Sequence, residues 1–150
     1  MDLSNFQDIL ELAISREEEA IATYGKMSEL TQSPGLKDLL LELREEEKKH
    51  KSLLEGITDQ KILSFVIKEV PDLKISDYLT EEPPTEDMTF QDLLIFAAKK
   101  EQEAVDLYSN LEENAEDEEL KKLFQFLIQQ EKTHKLKIEK EYDEHVLEWD

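Results

Sequence analysis

Apolar residues recur along this chain in alternating steps of four and three, the spacing that stacks side chains on one face of an α-helix. One stripe runs Phe6, Leu10, Ala13, Ala20, Tyr24, Met27, and a second Leu36, Leu40, Leu43, Leu54, Ile57. A third runs Phe90, Leu94, Ala97, Ala104, Tyr108, Leu111, and a fourth Leu120, Phe124, Leu127, Ile138. Four amphipathic helices are predicted, and the breaks between them carry matching punctuation. Asn5-x-x-Asp8 and Thr89-x-x-Asp92 can cap the first and third helices, while Ser33-Pro34 and Asp117 open the second and fourth. Turns fall near 31–33 and 113–116. The four prolines, Pro34, Pro71, Pro83 and Pro84, all lie between the periodic segments.

Shifting the chain by 84 positions lays Phe6-Gln7-Asp8-Ile9-Leu10 on Phe90-Gln91-Asp92-Leu93-Leu94 without a gap. The match continues through Ala13 on Ala97, Glu17 on Glu101, Ala20 on Ala104, Tyr24 on Tyr108, Glu47 on Glu131 and His50 on His134. The chain therefore reads as one domain made of two copies of a helical hairpin, about 4–56 and about 89–145. Between them, about 57–88, an apolar patch (Ile62, Leu63, Phe65, Val66, Ile67) precedes the acidic, proline-containing stretch Glu81–Asp87. A crossover of that length, with a short helix inside it, can run the length of a bundle and make the second and third helices parallel. The expected fold is all-α, a ferritin-like four-helix bundle rather than an up-down one.

Each stripe is interrupted by polar residues at mid-length. Glu17 breaks the first and Glu101 the third; the second contains Glu47 and His50, and the fourth Glu131 and His134. A Glu on a helix usually belongs to a solvated face, as expected here for Glu18, Glu19 and Glu103, which point away from the seam. Six inward residues at one repeat offset differ from that background. Glu and His three apart are neighbours on one helix face and can reach a common point. Four buried carboxylates repel one another and lose hydration, whereas two divalent cations balance their four charges and leave neutral imidazoles to complete the set. The plain alternative is a buried ionic cluster of Glu and His. It explains the inward placement but not the balanced stoichiometry of two hairpins.

Composition narrows the chemistry further. There is no Cys, so disulfides, thiolate catalysis and thiolate-held metals are excluded, and any metal is held by nitrogen and oxygen. Lys and Arg number 18 against 38 Asp and Glu, a net charge of −20 that repels nucleic acid and anionic membranes. The N-terminus lacks a basic start followed by an apolar block, and no apolar run approaches a membrane span, so a cytoplasmic protein is expected. Tyr24 and Tyr108 lie two turns beyond Glu17 and Glu101; they either pack in the core or hydrogen-bond the metal-ligating carboxylates. His145 falls outside both repeats, and Trp149 is expected to be a tail or subunit contact.

At Glu17-x-x-Ala20-x-x-x-Tyr24 with Glu47-x-x-His50, and again at Glu101-x-x-Ala104-x-x-x-Tyr108 with Glu131-x-x-His134, the sequence resembles the rubrerythrin-like branch of the ferritin-like superfamily. The resemblance implies a non-haem di-iron site in which Glu47 and Glu131 bridge the metals, Glu17 and Glu101 are terminal ligands, and His50 and His134 bind one metal each. It also implies reduction of hydrogen peroxide to water. Two departures stand out. Without Cys there is no rubredoxin-like iron centre in this sequence, and Ala104 occupies the place of an additional family Glu.

Six protein ligands shared by two metals leave coordination positions for peroxide or dioxygen. The expected function is that of a di-iron oxidoreductase served by an external electron donor and assembled as a homo-oligomer, most simply a dimer; manganese or zinc are the alternative metals. Two other readings remain open: oxidation, storage or transfer of iron, suited by the acidic surface, and a non-catalytic helical interaction module clamped by metal.

Overall fold

The computed structural model describes residues 6–57 and 89–145. Among the described residues there are four helices and no strand: α1 (Phe6–Leu30), α2 (Pro34–Glu55), α3 (Phe90–Asn114) and α4 (Glu118–His145). The expected crossover helix, the expected Asn5 cap and Trp149 lie outside the described residues, as does the side chain of His145.

The helix starts follow the local chemistry. Pro34 forces its predecessor out of the helical region, so Ser33 is extended (φ −86°, ψ 115°) and its hydroxyl accepts from the Leu36 N–H. Thr89 and Asp92 form a reciprocal capping box: the Thr89 hydroxyl accepts the Asp92 N–H at 3.1 Å, and the Asp92 carboxylate accepts the Thr89 N–H at 3.2 Å. Asp117 accepts from the N–H groups of Glu119 and Leu120 at the start of α4. At the end of α2, the Gly56 N–H reaches back to the Ser52 carbonyl.

Contacts across the bundle set its topology. Tyr24, late in α1, meets Glu101 at the middle of α3, while Glu17, at the middle of α1, meets Tyr108, late in α3, so α1 and α3 are antiparallel. His50 of α2 approaches Glu131 of α4, and Glu46 approaches His134, so these helices are antiparallel too. The helices within each hairpin run in opposite directions across turns of three residues. It follows that α2 and α3 are parallel, the connectivity of a ferritin-like bundle.

The apolar stripes collapse into two plugs. One contains Tyr24, Met27, Leu36, Leu40, Leu43, Leu93, Leu94, Ala97 and Ile138. The other holds the repeat counterparts of all nine: Tyr108, Leu111, Leu120, Phe124, Leu127, Ile9, Leu10, Ala13 and Leu54. Each plug draws on both hairpins, so neither hairpin completes its core alone. At about 1.5–3 kcal/mol for each fully buried large apolar side chain, the plugs supply the main drive for docking one hairpin on the other. Between the plugs lies a single polar layer. No helix among the described residues is long and apolar enough to cross a membrane.

Candidate metal centre

Glu17 of α1, Glu47 and His50 of α2, Glu101 of α3, and Glu131 and His134 of α4 meet in that layer. None is more than 2% exposed. Each reaches it because its stripe position faces the bundle axis, with one or two turns of apolar residues on either side. The structure thus brings together all six residues singled out by the helical pattern.

Both imidazoles turn Nδ1 inward. His50 Nδ1 lies 2.9 Å from Glu131, 3.4 Å from Glu47 and 3.8 Å from Glu17. His134 Nδ1 lies 2.7 Å from Glu47, 3.6 Å from Glu131 and 3.8 Å from Glu101. The two rings stack 5.6 Å apart with 13° between their planes. Two groups of four donors result: Glu17, Glu47, His50 and Glu131, and Glu47, Glu101, Glu131 and His134. Within each group one ligand atom per residue lies within 4.8 Å of the others. Donors at about 2.0–2.2 Å from a common metal stand at most about 4.4 Å apart, so either group closes on an ion with a small contraction. Glu47 and Glu131 belong to both.

The tyrosines take the carboxylate-bonding option. The Tyr24 hydroxyl donates to Glu101 Oε1 and that of Tyr108 to Glu17 Oε1, each at 2.5 Å, so each hairpin holds an acid of the other. These bonds occupy one oxygen of each acid only. Glu17 Oε2, Glu101 Oε2, both oxygens of Glu47, Glu131 Oε1, and Nδ1 of both histidines are buried without a hydrogen-bond partner. The short His–Glu approaches above lack hydrogen-bond alignment and do not satisfy these atoms. Native interiors rarely leave one such atom unpaired, and seven converging on one point fit the donor set of a metal pair.

Electrostatics express the same strain. Burial, then repulsion from Glu101 and Glu17, pushes Glu47 well above the ordinary carboxyl range; Glu131 is raised in the same way by burial and by Glu101, Glu47 and Glu17. Burial also opposes ionisation of Glu17, but His50, Glu47 and the Tyr108 hydroxyl outweigh it and lower its pKa. For His50, burial disfavours the charged ring, yet Glu131 and Glu17 prevail and raise its pKa to about 9. His134 is likewise raised, with Glu101 and Glu46 overcoming burial. Burial and the adjacent acids, Glu101 and Glu17 foremost, lift Tyr24 and Tyr108 well above their ordinary value, so both remain hydrogen-bond donors.

Three features escape the stripe analysis. Glu46, beside the seam of α2, hydrogen-bonds Nε2 of His134. Arg16 pairs with Glu103 at 2.7 Å and Lys100 with Glu19 at 3.1 Å, a repeat-related pair of bridges between α1 and α3. Glu19 and Glu103 do lie off the metal-facing seam, as expected, but they are tied to these cations; Glu18 is the exposed one. Beneath the bridges, Ala20, Ala104 and the four central carboxylates line a cavity of about 10 Å³, room for about one water. The shift of 84 positions lays Arg16 on Lys100, Glu19 on Glu103 and Ala20 on Ala104, a trace of the paired bridges and the cavity, whereas it lays Glu46 on Gln130 and gives no sign of the bond to His134.

Comparison with known proteins agrees with this geometry. A hypothetical protein from Pyrococcus furiosus has a similar structure, with a TM-score of 0.73, 31% identity, and coverage of 95% of this chain and 90% of its own. A Thermotoga maritima protein assigned as ferritin-like and diiron-carboxylate gives a TM-score of 0.70 at 25% identity, covering 91% of this chain and 93% of its own. A search of curated proteins found no match. The family model for rubrerythrin matches residues 8–142, which span both hairpins and every residue of the polar layer, and the chain therefore belongs to the rubrerythrin family.

Proposed function

We propose that this chain is a non-haem di-iron oxidoreductase that reduces hydrogen peroxide, or dioxygen, with electrons from an external donor. The observation that carries the reading is the pair of overlapping four-residue donor sets sharing Glu47 and Glu131. Glu47 and Glu131, common to both sets, would serve both metals, Glu17 and His50 would complete one position, and Glu101 and His134 the other. Iron is the assigned metal because carboxylates and imidazoles without thiolate suit it, and because the Thermotoga relative is described as diiron. Manganese and zinc are the alternatives that elemental analysis separates.

When bound, a ferrous pair supplies the two electrons that, with two protons, convert hydrogen peroxide into two waters. The chain's own residues prepare the place. Tyr24 and Tyr108 each hold one oxygen of a terminal carboxylate and leave the other free for metal. The two apolar plugs keep bulk water from both ends, and the Arg16–Glu103 and Lys100–Glu19 bridges roof the small cavity beside Ala20 and Ala104. A cavity of that size is on the scale of a water molecule, and peroxide or dioxygen are the substrates closest to it in size. In this reading the electrons come from an external redox centre.

The test is stopped-flow oxidation of protein loaded anaerobically with two ferrous ions per chain. Oxidation faster with hydrogen peroxide than with dioxygen, and repeated turnover once a reductant is supplied, is the expected result. The second reading, iron oxidation and storage, is favoured by the net charge of −20, which attracts cations. It predicts iron uptake far beyond two per chain into a large particle, with no preference for peroxide. Inertness to both oxidants would favour the metal-clamped interaction module instead.

A further inference from the structure

The two hairpins match at all six central residues but not one step outside them. Position 46 is Glu, and its counterpart at position 130 is Gln. The structure gives this difference a consequence. Glu46 lies only 27% exposed on α2 and hydrogen-bonds Nε2 of His134, the ring nitrogen turned away from the polar layer. His50 differs: the carboxylates paired with it, Glu17, Glu47 and Glu131, all meet its Nδ1, on the side of the polar layer. Its ring borders a groove of about 640 Å³ that Glu46, Gln130, Phe126 and Leu53 also line, and the ring of Phe126 meets it edge-on at 6.3 Å.

A carboxylate on the outer nitrogen of a metal-binding histidine does three things. It holds the proton on Nε2 and thereby presents the lone pair of Nδ1; it fixes the ring plane; and it makes the ring a stronger electron donor. Such charge-assisted bonds are roughly twice as strong as neutral ones, so a Gln amide is the weaker support. The charge of Glu46 also adds one more anion near the His134 position.

We infer that the two metal positions are built unequal, with Glu46 as a positioning residue that makes the His134 position the tighter one and Gln130 leaving the His50 position the weaker. This rests on the di-metal reading of the centre and deepens it. A chain at limiting metal then carries one ion, held by Glu47, Glu101, Glu131 and His134, and accepts the second at higher concentration.

Anaerobic calorimetric titration of the metal-free protein with ferrous iron tests the inference, with cobalt(II) absorption as a spectroscopic check on each step. Wild-type protein should bind in two resolved steps. Glu46→Gln should weaken the tight step by about 10–100-fold, leave the weak step in place and change the cobalt spectrum of the first ion only. Gln130→Glu should tighten the weak step and draw the two together, a gain that a merely structural role for the position does not produce. Two equal steps in the wild type, or equal weakening of both by Glu46→Gln, would overturn the inequality while leaving the di-metal centre standing. Absence of any binding would overturn both.

Discussion

Tyr24 and Tyr108 illustrate how single side chains fasten the centre. Each belongs to an apolar plug and is 1% exposed, yet its hydroxyl crosses to a carboxylate of the other hairpin. Replacing either by Phe removes a hydrogen bond to a charged acceptor and strands an oxygen that water cannot reach. We expect a cost of about 1–3 kcal/mol for each substitution in metal-free protein, measured by urea denaturation. Acid–base behaviour is also decided residue by residue. In metal-free protein the pKa of His50 rises from 6.5 to about 9, so the stability contributed by its protonated ring is complete below pH 6.5 and lost as pH climbs through 9. Glu47 and Glu131, raised well above 4.5, act in the same direction: their neutral forms favour folding, and that contribution falls as pH rises from about 4.5. Glu17, lowered, opposes them only on the acid side. Metal-free protein should therefore lose on the order of 2 kcal/mol between pH 6.5 and 9 in denaturant titrations. Metal-loaded protein should show the reverse dependence, because protons compete with metal for Nδ1 and the carboxylates, and acid should strip the ions. A metal-free form more stable at pH 9 than at 6.5 would refute the assigned electrostatics.

At the scale of helices, the ends and the buried faces are legible in the sequence because both are written locally. Ser33-Pro34, Thr89 with Asp92, and Asp117 start their helices where their chemistry requires, and the stripe through Leu36, Leu40, Leu43, Glu47, His50 and Leu54 is buried at every position. Thr89→Ala should cost about 0.5–2 kcal/mol by breaking the capping box at the mouth of α3. Leu43→Ala, in the plug directly above Glu47 and fully buried, should cost about 2–5 kcal/mol, and both are measurable as shifts in the urea midpoint. The partners of Arg16, Lys100 and Glu46 are not legible in this way. Each of these residues sits one position off its seam, and a position there faces solvent or a neighbouring helix according to how far the two hairpins rotate against each other. That rotation is settled by packing of the plugs, not by the periodicity of any one helix. Phe126 makes the same point from the other side, an aromatic residue left 47% exposed beside the groove over His50.

Taken whole, the molecule is two plugs around a layer that neither plug can satisfy. The repeat makes this inevitable: each hairpin brings two Glu and one His to the axis, and docking for the sake of the plugs drives all six together. Four carboxylates in an apolar surround are a liability without cations, so metal that binds the folded state alone should raise the melting temperature, by more at higher metal concentration. The fold and the six central residues were readable because the same pattern occurs twice at one offset, whereas the difference between the two halves becomes meaningful only once Glu46 is seen to reach His134. The most direct test of the account is the metal content of reconstituted, desalted protein by elemental analysis. Two metals per chain are expected in the wild type, with Glu47→Ala and Glu131→Ala each losing both ions, since each side chain serves both positions, and Glu18→Ala losing neither. One metal or none in the wild type, or retention of two ions by either bridging variant, would contradict the assignment.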